Sequence, residues 1–447
     1  MPKETIGFLM IAVMLFAIFV GFPISFTLIF LGVVFGYWAG GDLVFFLMTQ
    51  KFSGAIQEQT LAAVPLFVFM GIMMEQAGLM ERLFRAVQMM LASTRGSLYV
   101  AVLFVSTIFA AATGIVGASV TILGIMAAKT MNRSGYDVQL AAGTITAGGT
   151  LGILIPPSIM LVVMGPVLEV PVTDLFAAAI VPGIMLAFLY MAYALVRCWL
   201  NKELGPPLPE EEHVNDWGLL AREFFLGLVP PAALVAFALG SILLGWATPS
   251  EGAGCGAFGA LILVLAYRKF KLKGFYTALI KTLEISVLIL FLVAASDFFG
   301  AVFAWLGTPT LMTNYLLGLD LAPMVILLLI MVFIFLLGWP LEWVPIVLII
   351  VPILLPVIEQ LGILEDQNDM LLWFGILVAV NLQTAWLSPP VALSAYFLKG
   401  VVPEWDLKDI YLGMIQFMGI QLLGLILILS FPGIVLWLPN YIYGGGG

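Results

Sequence analysis

Apolar stretches follow one another along almost the whole chain, from Ile6 to Leu438. A helix needs about 20 apolar residues to cross a hydrocarbon core. Residues 6–38, 61–76, 138–170, 175–200, 224–246, 252–267, 275–306, 371–398 and 410–438 supply runs of that kind. Across 447 residues the chain is 63% hydrophobic and 10% charged, and a soluble monomer of that composition would expose far more apolar area than such proteins carry. The predicted fold class is therefore an all-α polytopic membrane protein, with backbone polar groups satisfied inside helices. The first run lacks a small-residue cleavage site before a soluble domain and reads as mature membrane structure, turning at Gly21-Phe22-Pro23.

The same counts remove several functions. Twenty-six acidic residues stand against 17 basic ones, and no basic patch extends beyond a short loop, which argues against a nucleic-acid partner. The one histidine, His213, sits in a polar stretch, so histidine-based metal sites and Ser-His or Cys-His catalysis inside the membrane are excluded and no enzyme is predicted. Without a Gly-Lys pair there is no phosphate-binding P-loop, and the chain cannot pump by hydrolysing ATP itself. Cys198 and Cys255 lack metal spacing and read as small core hydrophobes.

Two runs break in the middle. Residues 97–128 are interrupted at Ala112-Thr113-Gly114-Ile115-Val116-Gly117-Ala118-Ser119, and residues 323–358 at Gly338-Trp339-Pro340-Leu341-Glu342. Legs of about 16 residues reach roughly 24 Å, short of the ~30 Å core, so both runs are predicted to be re-entrant hairpins. Arg82, Arg85, Arg95, Lys129 and Arg133 flank the first and put its base on the cytoplasmic side, whereas the second lies in a stretch, 282–398, without Lys or Arg. By elimination the second enters from outside, and Arg268, Lys269, Lys271, Lys273, Arg197 and Lys202 mark further cytoplasmic loops. The expected path has ten crossings, two hairpins and both termini outside.

Each hairpin is followed by a helix carrying a Pro-Pro pair, in 138–170 at Ile155-Pro156-Pro157-Ser158 and in 371–398 at Ser388-Pro389-Pro390-Val391. Two prolines remove two donors and clash with the preceding turn, so each helix must open and bare carbonyls near mid-bilayer. Two halves of opposite orientation, 1–200 and 224–438, each with a hairpin and a broken helix, form the inverted-repeat pattern of secondary transporters. Residues 201–223 read as a cytoplasmic linker, with Pro206, Pro207, Pro209 and Glu210-Glu211-Glu212, and 439–447 as a tail.

Tips and breaks offer a partly dehydrated cation carbonyl and hydroxyl oxygen. One candidate sodium site combines Thr113, Gly114, Gly117 and Ser119 with Ile155, Pro156 and Ser158; the other combines Gly338, Trp339 and Glu342 with Thr384, Leu387 and Ser388. Sodium would act as coupling ion, with no other metal and no cofactor. The competing reading is that these small residues only let helices approach closely. Trp339, Trp386, Pro157 and Pro389 are candidates for a substrate cavity, tight packing being the alternative.

Carboxylates inside apolar runs are costly and need a reason. Glu342 is the functional candidate, Glu251 follows Ala247-Thr248-Pro249-Ser250 as a helix cap, Glu284 is solvated or paired, and Asp297 stays open between site and structural hydrogen bond. Trp199, Trp217, Trp246, Trp373, Trp405 and Trp437 fall near predicted boundaries, as interfacial anchors do, and the amphipathic stretch 42–59 is expected along the interface.

From Leu61-Ala62-Ala63-Val64-Pro65-Leu66-Phe67 through Gly135-Tyr136-Asp137, Ile155-Pro156-Pro157-Ser158, Pro182-Gly183 and Ala247-Thr248-Pro249-Ser250-Glu251 to Ser388-Pro389-Pro390, the sequence resembles the large membrane subunit of tripartite ATP-independent periplasmic (TRAP) transporters. The resemblance covers nearly the whole chain. It implies a bacterial inner-membrane permease in which hairpins and broken helices carry substrate past a fixed scaffold, a sodium-coupled elevator importing a small organic acid. It also implies a periplasmic solute-binding protein and a separate small four-helix membrane subunit as partners. Two departures touch the sodium ligands: Thr113 to Ser119 replaces a Gly-Ser-Ser type tip, and Ser388-Pro389-Pro390-Val391-Ala392 replaces the more usual Thr-Pro-Pro-Val-Gly. A self-sufficient cation- or proton-coupled organic-anion carrier of the same architecture is the alternative. A channel would instead favour repeated pore segments lining one continuous path.

Overall fold

The computed structural model describes residues 3–114, 116–208, 217–319, 321–389 and 392–444, without the side chains of 110–113 and of Trp217. Ile115, Pro209, Glu210, Glu211, Glu212, His213, Pro390, Val391, residues 445–447 and the side chain of Thr113 therefore lie outside the described residues. Among the described residues 83% are helical and none is in a strand. Nine helical segments among them are long and apolar enough to cross a membrane.

The first half runs through α1 (Lys3–Val20), α2 (Ile24–Gly40), α3 (Leu43–Gln57), α4 (Ala63–Gln76) and α5 (Leu79–Met90). The first hairpin follows as α6 (Ser97–Thr113), α7 (Val116–Leu123) and α8 (Lys129–Arg133). The broken helix comes next as α9 (Val138–Thr150) and α10 (Ile159–Leu168), then α11 (Val172–Leu200). The second half opens with α12 (Trp217–Leu243), α13 (Pro249–Ala266), α14 (Leu272–Trp305) and α15 (Thr308–Leu317). Its hairpin is α16 (Pro323–Leu337), α17 (Trp343–Pro345) and α18 (Val351–Gln360), its broken helix α19 (Gln367–Leu387) and α20 (Leu393–Val401), and α21 (Leu407–Ser430) and α22 (Gly433–Tyr443) close the chain. In both hairpins the return leg holds a π-helical turn, at Gly124–Ala128 and at Ile346–Ile350.

Local chemistry sets these boundaries. Gly21 at φ 97° makes the turn that divides residues 6–38 into α1 and α2. Asp137 caps α9 by accepting from the Leu140 amide at 2.8 Å. At α13 Thr248 and Glu251 form a capping box, the Thr248 amide donating to Glu251 Oε2 at 2.8 Å, so Glu251 is the cap its position predicts. Glu284 stands exposed on α14.

Several sequence expectations change. Residues 410–438 are not one span: Pro432 follows the C-cap of α21 and the chain restarts as α22 against α11. The linker is shorter than 201–223 because α12 begins at Trp217. Its described part is pinned to the first hairpin's base, the Gly96 amide donating to Gly205 O at 3.0 Å and the Leu208 amide to Ala92 O at 2.9 Å. Trp373 and Trp405 are buried and donate to Ile428 O at 3.0 Å and Asn132 Oδ1 at 2.7 Å, so they are core residues and not interfacial anchors. Cys198 is in the core; Cys255 is exposed on α13.

Helix packing forms two groups. In one, α4 lies on α13, α14 on α2, α3 and α4, and α12 on α5, where Arg82 holds Glu223 through two bonds of 2.6 and 2.7 Å. In the other, α9 lies on α21, α6 on α9 and α11, and α19 on α16 and α21. Lipid is as apolar as leucine, so close van der Waals contact has to hold such helices together. The crossing of α9 and α21 shows how: a Cβ on Gly143 would sit 2.5 Å from the Gly413 carbonyl oxygen, a space only glycine leaves open.

Candidate transport site at the hairpin tips and helix breaks

At the first tip Gly114 turns with φ 59°. A Cβ there would lie 3.4 Å from the Ile159 side chain, so the tip meets the first turn of α10. The break before that turn is a 3₁₀ turn at Leu151–Ile153 followed by Pro156 and Pro157, joined by a cis peptide bond. Prolines at these positions take away the helical donors of the Gly152 and Ile153 carbonyls. Ser158 mends one of them, its hydroxyl donating to Ile153 O at 2.6 Å while accepting from the Leu161 amide at 3.4 Å. Ser119 is buried on α7, and Ile155 packs where α11 has only Gly183.

The second tip is more open. Gly338 caps α16 and approaches Ala385 of α19, where a Cβ would find its neighbour at 3.4 Å. Trp339 is 39% exposed with its ring 5.8 Å from Phe335, and Glu342 is exposed at the start of α17 without a side-chain capping bond. In the break, Thr384 Oγ1 donates to Asn381 O at 2.6 Å and Ser388 Oγ to Thr384 O at 2.7 Å. Pro389 takes the donor from the Ala385 carbonyl. Leu387 is buried, and Trp386 is half-buried with its ring 6.5 Å from Phe397. Ala392 then sits at φ 28°, a conformation that favours glycine.

The hydroxyls of Ser158, Thr384 and Ser388 spend their protons on carbonyls and keep lone pairs for a cation. Among the described residues no cluster of three or more His, Cys, Asp or Glu could hold a metal.

The two predicted sites are less separate than the sequence suggested. Each hairpin's inbound leg packs on the first part of its own broken helix, α6 on α9 and α16 on α19. Each return leg packs on the far part of the other, α7 on α20 and α18 on α10. Gly117 lies under the Phe397 ring, where a Cβ would be 2.8 Å from Cζ, and Gly124 faces Leu398 and Val401 at 2.9 Å.

Sequence reasoning missed three buried amides beside the second break. Asn381 Nδ2 donates to Met331 O at 2.7 Å, and Gln421 Nε2 to Val380 O at 3.0 Å and Gln383 Oε1 at 3.1 Å. Asn381 Oδ1, Gln383 Nε2 and Gln421 Oε1 are buried without a partner. Their signal was an amide within an otherwise apolar run.

The family described as the tripartite ATP-independent periplasmic transporter DctM component matches residues 10–434. The chain is 30% identical over 387 residues to the C4-dicarboxylate TRAP transporter large permease protein DctM of Pseudomonas aeruginosa, covering 86% of this chain and 87% of that one. It is also 30% identical over 432 residues to the sialic acid TRAP transporter large permease protein SiaM of Vibrio cholerae, covering 96% and 97%. The Alcanivorax borkumensis YdaH transporter shares the fold with a TM-score of 0.63 at 16% identity, over 88% of this chain and 89% of that one. These relatives are permeases and not enzymes, and they place the chain in the inner membrane. Its hairpins, breaks and membrane helices are those of a chain that belongs to the DctM family, the large permease component of TRAP transporters.

Proposed function

We propose that this permease subunit imports a small organic acid by sodium-coupled secondary transport, working as an elevator with a periplasmic solute-binding protein and a small four-helix membrane subunit. The observation that carries the reading is the doubled arrangement of a glycine tip beside a proline-opened helix, with Ser158, Thr384 and Ser388 oxygens at the breaks. A carboxylate cargo is supported by relatives named for C4-dicarboxylates and sialic acid. Hairpins entering from opposite sides in repeats 1–200 and 224–438 suit alternating access, and basic residues at the first hairpin's base favour that orientation. An outer face carrying Glu359, Glu365, Asp366 and Asp369 repels a dilute anion, which favours delivery by a binding protein.

Uptake of a carboxylate panel into proteoliposomes holding the permease, its small subunit and the binding protein tests this, with sodium, proton and potential gradients imposed separately. Sodium alone should drive accumulation, and Ser119→Ala and Ser388→Ala should each raise the sodium concentration for half-maximal rate about tenfold, the equivalent of ~1.4 kcal/mol. Uptake driven by a pH gradient in sodium-free buffer would overturn the coupling. Full activity of the chain alone would point to a self-sufficient carrier.

A further inference from the structure

A cavity of about 680 Å³ lies away from the tips, between α3 and α14 on one wall and α10 and α18 on the other. Its charged lining is lopsided: Glu58, Glu169, Asp297 and Glu359 face a single ammonium, Lys51. An anion has little reason to settle there, and a cation has several.

Acids alone would only mark a solvated cleft, but Ser296 adds a different observation. Serines and threonines in helices close on a carbonyl one turn back, as Thr277 does with Lys273 O at 2.9 Å on the same helix. Ser296 does not, and neither do Thr282 and Ser286 on that helix; of these three Ser296 is the one that lines the cavity, next to Asp297, 1% exposed and with its hydroxyl buried without a partner. Asp297, inside an apolar helix, makes no side-chain hydrogen bond among the described residues and shares the cavity with the Lys51 ammonium and three further carboxylates. The opposite wall supplies oxygen of another kind. Pro352 and Pro356 of α18 line the cavity, and Pro356 removes the N–H that would have satisfied the Pro352 carbonyl.

We propose that Ser296 and Asp297 form a binding site for a monovalent cation, sodium in the periplasm, shared across this cleft with the Pro352 carbonyl of α18. The site is separate from the tips and breaks. Because its two walls belong to different helix groups, a bound ion ties α14 to the second hairpin's return leg. The ion must enter before an anion can pass the acidic rim, which orders the two events. The site rests on sodium as the coupling ion for its meaning in transport, but its occupancy is measurable without transport.

Equilibrium binding of radioactive sodium to the purified full-length chain with its small subunit, choline chloride replacing salt, tests the site. Asp297→Asn should bind one ion fewer than the wild type, Ser296→Ala should bind that ion about tenfold more weakly, and Asp297→Glu should retain it. A second readout covers variants that fail to fold. Gly300 lines the cavity and has open space around it, so Gly300→Cys in a Cys255→Ala background should react with a thiol reagent several-fold more slowly in sodium than in choline. Unchanged stoichiometry in Asp297→Asn, or equal labelling rates in sodium and choline, would overturn the site and leave sodium at the tips standing. A wild type that binds no sodium would overturn both readings.

Discussion

The two hairpins share a plan and differ in how they are held. At the base of the first, the Trp405 indole donates to Asn132 at 2.7 Å, Asn132 donates to Glu404 at 3.2 Å, and Gln139 donates to Asp409 at 3.0 Å. Lys399 closes the neighbouring loop on Pro403 O and Trp405 O at 2.8 and 2.6 Å. Glycines 117 and 124 press the return leg onto α20. At the base of the second hairpin Gln360 donates to Pro356 O at 3.1 Å, Asp366 accepts from the Asp369 amide at 2.9 Å, and Asp369 Oδ2 accepts from Asn440 of α22 over a longer 3.4 Å. Its tip exposes Trp339 and Glu342. The first hairpin is tied to the opposite half at its base by polar contacts and close glycines, while the second carries a buried bond within its own half, Asn381 to Met331 O on its inbound leg, and a longer one from Asn440 at its base.

The strongest way to break this contrast is to fill the glycine contacts. Gly124→Leu drives a branched side chain into Leu398 and Val401, already 2.9 Å from a bare Cβ, and should abolish transport and cut the yield of folded protein severely. Gly338→Ala, with neighbours at 3.2 Å or more, should keep most of both, as size-exclusion profiles and uptake rates would show. Equal damage from the two would mean the hairpins are equally confined.

A smaller effect sharpens the polar half of the comparison. Asn132→Ala leaves the buried Trp405 indole without its acceptor, a loss of about 1–3 kcal/mol and a melting temperature lower by a few degrees. Gln360→Ala removes a single exposed bond and should shift melting by less than a degree or so. Thermal unfolding in the same detergent measures both.

The smallest expected change concerns the breaks. Ala392 at φ 28° occupies a backbone region that costs a β-carbon roughly 1–2 kcal/mol, whereas the first break reaches Ser158 with φ −120° and a hydroxyl cap. Ala392→Gly should therefore raise the melting temperature slightly, while a lower one would show that stiffness at this residue outweighs its strain.

The chemistry that punctuates helices was legible in the sequence. Gly21 and Gly114 turned the chain at positive φ, Pro156, Pro157 and Pro389 ended helices where their missing N–H requires it, and Thr248 with Glu251 capped α13 as the spacing predicts. The break at Pro432 was hidden because the run is apolar on both sides of one proline. Trp373 and Trp405 misled because a tryptophan near a span's end looks the same whether its N–H meets lipid headgroups or the Ile428 carbonyl. What could not be read was partnership. Nothing in the composition of α7 says that Gly117 awaits Phe397 and not a neighbour in the first half, and Ser296 is an ordinary serine until its hydroxyl is seen buried without a partner beside a cavity.

The exchange of partners between the hairpins also sets a schedule for biogenesis. Gly117 and Phe397 lie far apart in the sequence, so at 5–20 residues per second the ribosome needs roughly 14–56 s to deliver the ring that covers that glycine. Through that interval the first hairpin's return leg is packed on α9, with its Gly117 face exposed to lipid, insertase or quality-control protease. The second hairpin meets α10 already waiting when it emerges. A gene cut at the linker would thus yield halves that must find each other before either is complete, and the earlier half bears the longer vulnerability.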